Sequence, residues 1–180
     1  AENSSDNIFI YTSSGNYLPV LDENTGNPAN VEYSYGAEGT DYYWLEKAHA
    51  VVNYDNGTAS DTTDDKYLLA IKITSSSSYG NTSTEYNSWT IHEVTLDGNF
   101  SYSNSIYNPI IEEYESIFSQ DLNEDGVTGV NTSAFTTVSS DSYGVGLLLD
   151  GNSNVYISKN GTNTAIKDTY GVSPSIEYSS

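Results

Sequence analysis

Glycine next to Asn, Asp or Ser interrupts this chain of 180 residues again and again, at Ser14-Gly15, Asn56-Gly57, Asp97-Gly98, Asp150-Gly151 and Asn160-Gly161. Such pairs supply the positive φ that hairpin turns need, and they fall too close together for a chain of long helices. The segments between them are short and rich in β-branched and aromatic residues. They predict strands over 8–11, 17–21, 42–52, 66–74, 86–96, 134–139, 143–149, 155–158 and 164–167.

Two of these segments carry more detail. In 66–74, Tyr67, Leu69, Ile71 and Ile73 share one parity while Leu68 and Ala70 take the other, which predicts a central strand covered on both faces. In 86–96 the apolar residues change parity, from Trp89 and Ile91 to Val94 and Leu96, which predicts a bulge near His92 and Glu93. One helix interrupts the pattern. Asn108 reads as its N-cap, Pro109 as its first residue and Glu112 and Glu113 as its acidic first turn, with Ile110, Tyr114, Ile117 and Phe118 on one apolar face.

The expected fold class is therefore mostly β, an antiparallel sandwich-like architecture with one short α-helix leading into a loop. We read 1–180 as a single β-rich domain. The serine run Ser75–Ser78, continued through Asn81–Thr84, offers a division into a 1–78 β subdomain and an 85–180 subdomain, or else the tip of a long polar hairpin.

Charge narrows the partners. Five lysines, no arginine and 25 acids give a net charge of -20, so the chain cannot neutralise a phosphate backbone, and nucleic acid and anionic membrane are excluded as partners. Its longest aliphatic run, Val145–Leu149, is far too short to span a bilayer. There is no cysteine, so any stabilising crosslink must come from elsewhere, and metal is the usual substitute in extracellular modules. The opening Glu2–Asp6 is polar and has no secretory pattern, so any targeting segment has been removed or lies elsewhere.

The helix runs into Asp121-Leu122-Asn123-Glu124-Asp125-Gly126-Val127-Thr128-Gly129. Oxygen-bearing side chains at alternate positions, closed by a glycine, let one turn of backbone aim several hard donors at one point, which is the chemistry of calcium. Asp121, Asn123, Asp125 and the Val127 carbonyl are the candidate ligands, and water or a more distant acid completes the shell. The competing reading is a turn in which these side chains bond their own backbone.

The run from Glu115 to Gly126, followed by Gly129, resembles the tryptophan-rich C-terminal domain repeated in large secreted proteins of cyanobacteria and other bacteria. The resemblance extends to Trp89 upstream and, downstream, to Gly144–Asn152 and Tyr156-Ile157, about residues 85–172. It implies an extracellular, calcium-associated module of poorly defined activity. Tryptophan is sparse here, with only Trp44 and Trp89, and the first half of the chain carries no second copy of the loop. The loop is also similar in its opening to EF-hand and dockerin loops, but Thr132 stands at the twelfth position, where those families place a bidentate acid. Glu115 and Glu124 are not favoured as ligands, the first because it lies more than a turn back along the helix.

Other constellations read as structure. Asp55, Asp61, Asp64 and Asp65 lack alternate spacing and suit a solvated hairpin, and Asp22-Glu23-Asn24 and Asp150-Gly151-Asn152 suit turns. His49 and His92 have no partner pattern for zinc or for a hydrolase triad. No catalytic residue is assigned. Seventeen tyrosines exceed the needs of a core and point to a binding or assembly surface, either for self-association or other surface proteins, or for glycans. The expected function is that of an extracellular or cell-surface, calcium-stabilised structural or adhesive protein, with a carbohydrate-binding module as the alternative.

Overall fold

The computed structural model describes residues 7–29, 32–37, 40–55, 63–79, 82–169 and 171–174, which divide into two units, 1–107 and 108–180. The Asn56-Gly57 turn, Asp61 and both polar ends of the chain lie outside the described residues.

Among the described residues, unit 1 holds nine strands: β1 (Phe9–Tyr11), β2 (Tyr17–Pro19), β3 (Leu21–Asp22), β4 (Glu32–Ala37), β5 (Thr40–Tyr54), β6 (Lys66–Tyr79), β7 (Thr82–Val94), β8 (Asn99–Phe100) and β9 (Ile106–Tyr107). β1 and β2 form a hairpin. The rest form one sheet in the order β3-β8-β7-β6-β5-β4, with β9 also paired to β7, and it is antiparallel except between β3 and β8. Ile8 and Ile10 of the hairpin segment share one core with Leu69, Ile71, Ile73, Val94 and Phe100 of the sheet, so apolar side chains from two layers of strands close over each other.

β6 is covered on both faces as its sequence predicts: Leu68, Leu69, Ala70, Ile71 and Ile73 are all buried. The bulge predicted at His92 and Glu93 is absent, because β6 and β7 pair in unbroken register from Tyr67↔Val94 to Tyr79↔Thr82. Instead β7 buries both faces, Trp89 and Ile91 on one and Thr90, His92 and Val94 on the other, which removes the need for a parity switch. The bulge of this sheet lies in β5, between Ala48 and Ala50. Ser75–Ser78 takes the second of its two expected forms, a long polar hairpin. It is the polar half of β6, paired with β5 and β7, and the division between units falls after Tyr107 instead.

Unit 2 contains α1 (Ile111–Phe118) and the four-stranded meander β10 (Thr136–Ser140), β11 (Val145–Leu149), β12 (Val155–Lys159) and β13 (Thr162–Ala165). The helix begins later than its sequence suggests. Asn108 takes a left-handed φ of 49°, Pro109 pairs with Val172 in an isolated bridge, and Ile110 becomes the N-cap without a side-chain cap. Tertiary pairing thus overrides a good capping sequence. The buried face also rotates, to Ile111, Glu112, Glu115 and Phe118.

One turn recurs five times, at 12–16, 95–99, 141–145, 150–154 and 168–172. In each, the first residue donates its N–H to the carbonyl of the fifth, while its side-chain oxygen accepts the N–H of the fifth: Thr12, Thr95, Asp141, Asp150 and Asp168 all do so. The fourth residue has positive φ every time, being Gly15, Gly98, Gly144, Ser153 or Gly171. A residue that bonds the fifth residue's backbone twice, through its own N–H and its side-chain oxygen, stabilises a tight reversal without help from the core.

Candidate metal centre

α1 ends at Ser119 in the left-handed conformation, and the chain turns at once into 121–129. There the predicted donors are brought together. Asp121 Oδ1 and Asn123 Oδ1 both accept the N–H of Asp125, at 3.1 and 3.0 Å, so the two oxygens gather on a single hydrogen. Asp121 Oδ2 accepts from Gly126 at 2.8 Å, and Asp125 Oδ1 accepts from Val127 at 2.9 Å. Glu124 and Gly126 sit at φ of 64° and 89°, which curls the backbone around these oxygens.

The organising group is one that sequence reasoning set aside. Glu115, fully buried on α1, accepts the N–H of Leu122 at 2.8 Å and of Asn123 at 3.1 Å on Oε1, and of Gly129 at 2.8 Å on Oε2. It reaches the loop from more than a turn away because the chain reverses at the left-handed Ser119, and Leu122, itself fully buried, presents its N–H to the carboxylate. Gly129 has φ 98° and approaches so closely that an added Cβ would lie 3.0 Å from Ser116 Oγ. Spacing did carry the signal: an acid on the same helical stripe as Ile111 and Phe118 must be buried, and a buried carboxylate needs donors.

Glu112 makes a second link. Its Oε1 accepts from Asn123 Nδ2 at 3.1 Å and from Asn152 Nδ2, tying the helix to the loop and to the turn between β11 and β12. Burial raises its pKa. A hollow of about 220 Å³ opens beside it, lined by Glu112, Asp125, Asn131, Asp150 and Asn152 among others. The hollow is acidic, and such concave surfaces concentrate cations.

The donors fit a hard cation. They are all oxygens, and the carboxylates of Asp121 and Asp125 have acceptor capacity beyond their backbone bonds, since each carboxylate offers about four lone-pair sites. Among the described residues no three His, Cys, Asp or Glu side chains form a metal-holding group. An ion at this loop would rest on two carboxylates, one amide oxygen, the Val127 carbonyl and water.

No protein-family model, curated protein or solved structure matches this chain. The loop must therefore be read from its own residues.

Elsewhere the structure pairs His92 with Ser105, Nδ1 to Oγ at 2.6 Å, a contact the sequence did not suggest. It is not a nucleophile in waiting. Ser105 Oγ donates to the Ser101 carbonyl at 3.1 Å, which leaves it to accept the imidazole N–H, and burial pushes the His92 pKa down to about 4, too weak a base for neutral pH. His49 packs edge-on against Trp89. Tyr11 and Tyr17 are exposed cross-strand neighbours with planes tilted by 50°, so they do not make one flat sugar platform. No helix among the described residues is long and apolar enough to cross a membrane.

Proposed function

We propose that this chain is an extracellular, calcium-stabilised structural or adhesive protein without catalytic activity, acting as a module of a surface protein or as a subunit of an assembly. The observation that carries this reading is the gathering of Asp121, Asn123 and Asp125 oxygens in a loop held from below by the buried Glu115. Calcium bound there would lock the helix to the chain that enters the meander. The resemblance of 115–129 to secreted bacterial modules and the net charge of -20 support the same setting, since an acidic chain that repels itself is steadied by divalent cations.

Assembly has a natural means in the sheet of unit 1. β4 ends the strand order, and the outer edge of β7 over 82–88 pairs with no strand among the described residues. Open edges of this kind accept a further strand by backbone hydrogen bonding alone.

The test is thermal unfolding of the purified chain with calcium and with chelator. Calcium at ten times its dissociation constant should add about 1.4 kcal/mol. Identical melting in both conditions would remove the calcium reading. A glycan array tests the carbohydrate alternative, and saccharide binding there would displace the structural one.

A further inference from the structure

Rows of cross-strand partners run unbroken through β4, β5, β6 and β7: Glu32, Leu45, Thr74 and Asn87 share one row, and Ala37, Thr40, Tyr79 and Thr82 share the last. Over these rows both outer strands are edges. Among the described residues β4 pairs with β5 alone, and on the outer side of β7 the partners β9 and β8 begin only at Thr90 and Val94, which leaves 82–88 open. Thr84, Tyr86 and Asn87 are exposed, so both faces of the strand reach solvent there.

Proteins commonly blunt such edges with lysine, proline or a bulge. In unit 2, β10 shows the device, with a bulge between Thr137 and Ser139. β4 and 82–88 show none of the three. Neither segment holds a lysine or a proline, and their registers with β5 and β6 are continuous.

We propose that β4 of one copy of this chain pairs with 82–88 of the next, antiparallel and head to tail, with Glu32 beside Asn87 and Ala37 beside Thr82. The proposal rests on the assembly reading above and names the two surfaces that meet. Direction selects the pairing. Four antiparallel strands alternate in direction, so β4 and β7 of one molecule run oppositely, and a copy displaced across the strands lays its β4 along β7 at the height its own rows already give it. Length agrees, because the six residues of β4 fit within 82–88. Charge agrees as well: this register sets Glu32 against Asn87 and Glu85 against Ser34, whereas a two-fold pairing of 82–88 with itself about its centre sets Glu85 against Glu85. β9 ends the contact by filling the side of β7 at Thr90 and Ile91. At that same height, in the row of Ala48, Ile71 and Thr90, β5 carries its bulge, which bends the strand where the incoming sheet has to diverge from β9.

Because the two surfaces differ, the contact leaves a free edge at each end and repeats into a filament. Each copy adds four strands, a rise of about 19 Å and, with neighbouring strands twisted by about 20–25°, a turn of about 80–100°.

The chain has no cysteine, so paired substitutions can read the register. Tyr35→Cys with Thr84→Cys, and separately Ser34→Cys with Glu85→Cys, set thiols opposite each other across the contact. Neighbouring rows alternate between hydrogen-bonded and non-hydrogen-bonded pairs, so the two variants sample both kinds. Within one molecule either pair is three strands apart, about 14 Å, beyond the Cα separation of about 7 Å that a disulfide spans. Oxidation of the full chain in calcium, run on a denaturing gel without reductant, should give a ladder of covalent multimers from at least one pair. Tyr35→Cys with Ser83→Cys, one residue out of register and so on opposite faces, should give about tenfold less. Sedimentation velocity of wild type and melting of the reduced variants run alongside. Wild type that assembles while neither in-register pair forms a ladder, with melting temperatures kept, overturns the strand pairing and leaves the assembly reading standing. Equal ladders from the out-of-register pair overturn the register, and dimers formed equally well by Thr84→Cys or Glu85→Cys alone overturn the head-to-tail order. Should the substitutions unfold the chain, electron microscopy of wild-type filaments decides, and a helical rise other than about 19 Å overturns the proposal. Wild type that stays monomeric overturns both it and the assembly reading.

Discussion

The Oε2 of Glu115 accepts the N–H of Gly129 at 2.8 Å, closing a loop of fourteen residues onto a single buried carboxylate. With Leu122 and Asn123 on Oε1, three backbone donors converge on one side chain that has no basic partner among the described residues. A carboxylate suits this position because both of its oxygens accept; an amide offers only one acceptor. Glu115→Gln would set an NH2 group against donors on one side, leaving at least one buried N–H unmatched. We expect a loss of about 3 kcal/mol, read as a lower midpoint in urea unfolding followed by far-UV circular dichroism. Calcium affinity should fall with it, since the loop loses its anchor.

The recurring turn supplies an internal control for the metal centre. Asp141 bonds the N–H groups of Tyr143 and Val145 much as Asp121 bonds those of Asp125 and Gly126, yet it stands apart from the 121–129 loop. Asp121→Asn and Asp125→Asn should therefore shrink the calcium-induced rise in melting temperature, whereas Asp141→Asn should lower stability slightly, by roughly 1 kcal/mol or less, and leave that rise intact. Titration calorimetry with calcium gives the same comparison directly. Equal responses from all three variants would mean the ion, if bound, is held elsewhere.

Much of this architecture was legible in the residues. Alternation and glycine turns located most strands, and the two-sided apolar pattern of 66–74 identified β6 as central. The short strands β8 and β9 escaped notice because two residues carry no periodicity; they exist through pairing with β7. The parity change at Val94 was read as a bulge because a single covered face was assumed, and the second buried face is a tertiary fact. In the site, Asp121, Asn123 and Asp125 were visible from spacing. Glu115, not favoured as a ligand, gives both oxygens to backbone N–H groups; that anchoring role escaped the sequence because it depends on the return of the loop against the helix. The five-fold turn was seen only in part: Gly15 and Gly98 were noted as turn glycines, but Gly144, Ser153 and Gly171 were not, nor was the pattern of a Thr or Asp three positions before each.

Two buried titratable groups predict opposite pH responses. His92 has its folded pKa lowered to about 4 by burial, against an ordinary 6.5, so the unfolded chain takes up a proton over a range where the folded chain does not. Its contribution is intact above pH 6.5 and declines as pH falls toward 4, by about 3 kcal/mol in all. Glu112 has its folded pKa raised, again by burial, so the folded chain takes up the proton first and gains stability as pH falls through that value. Replacing His92 by Gln should flatten the wild-type decline between pH 6.5 and 4, and replacing Glu112 by Gln should steepen it. Urea midpoints measured across that range, variant by variant, check both signs.

Gly98 tests the turn itself. It is the fourth residue of the turn between β7 and β8, with φ 93°, and a Cβ built on it would lie 2.3 Å from the Pro19 carbonyl oxygen and 3.0 Å from Leu18 Cγ. The obstruction is backbone, at the point where the N–H of Leu21 bonds the Gly98 carbonyl at 2.9 Å, so the neighbour cannot swing aside as a long side chain would. Gly98→Ala combines an unfavourable φ with a clash that must push the end of β2 away from the β7–β8 turn. Its cost should exceed about 2 kcal/mol. Gly144→Ala serves as the comparison, because it has a similar φ of 78° but no atom within 4 Å of the new Cβ, and it should cost about 1 kcal/mol. Urea midpoints followed by far-UV circular dichroism give the loss for each variant. Equal losses from the two substitutions would show that positive φ, rather than the contact with Pro19, governs the position.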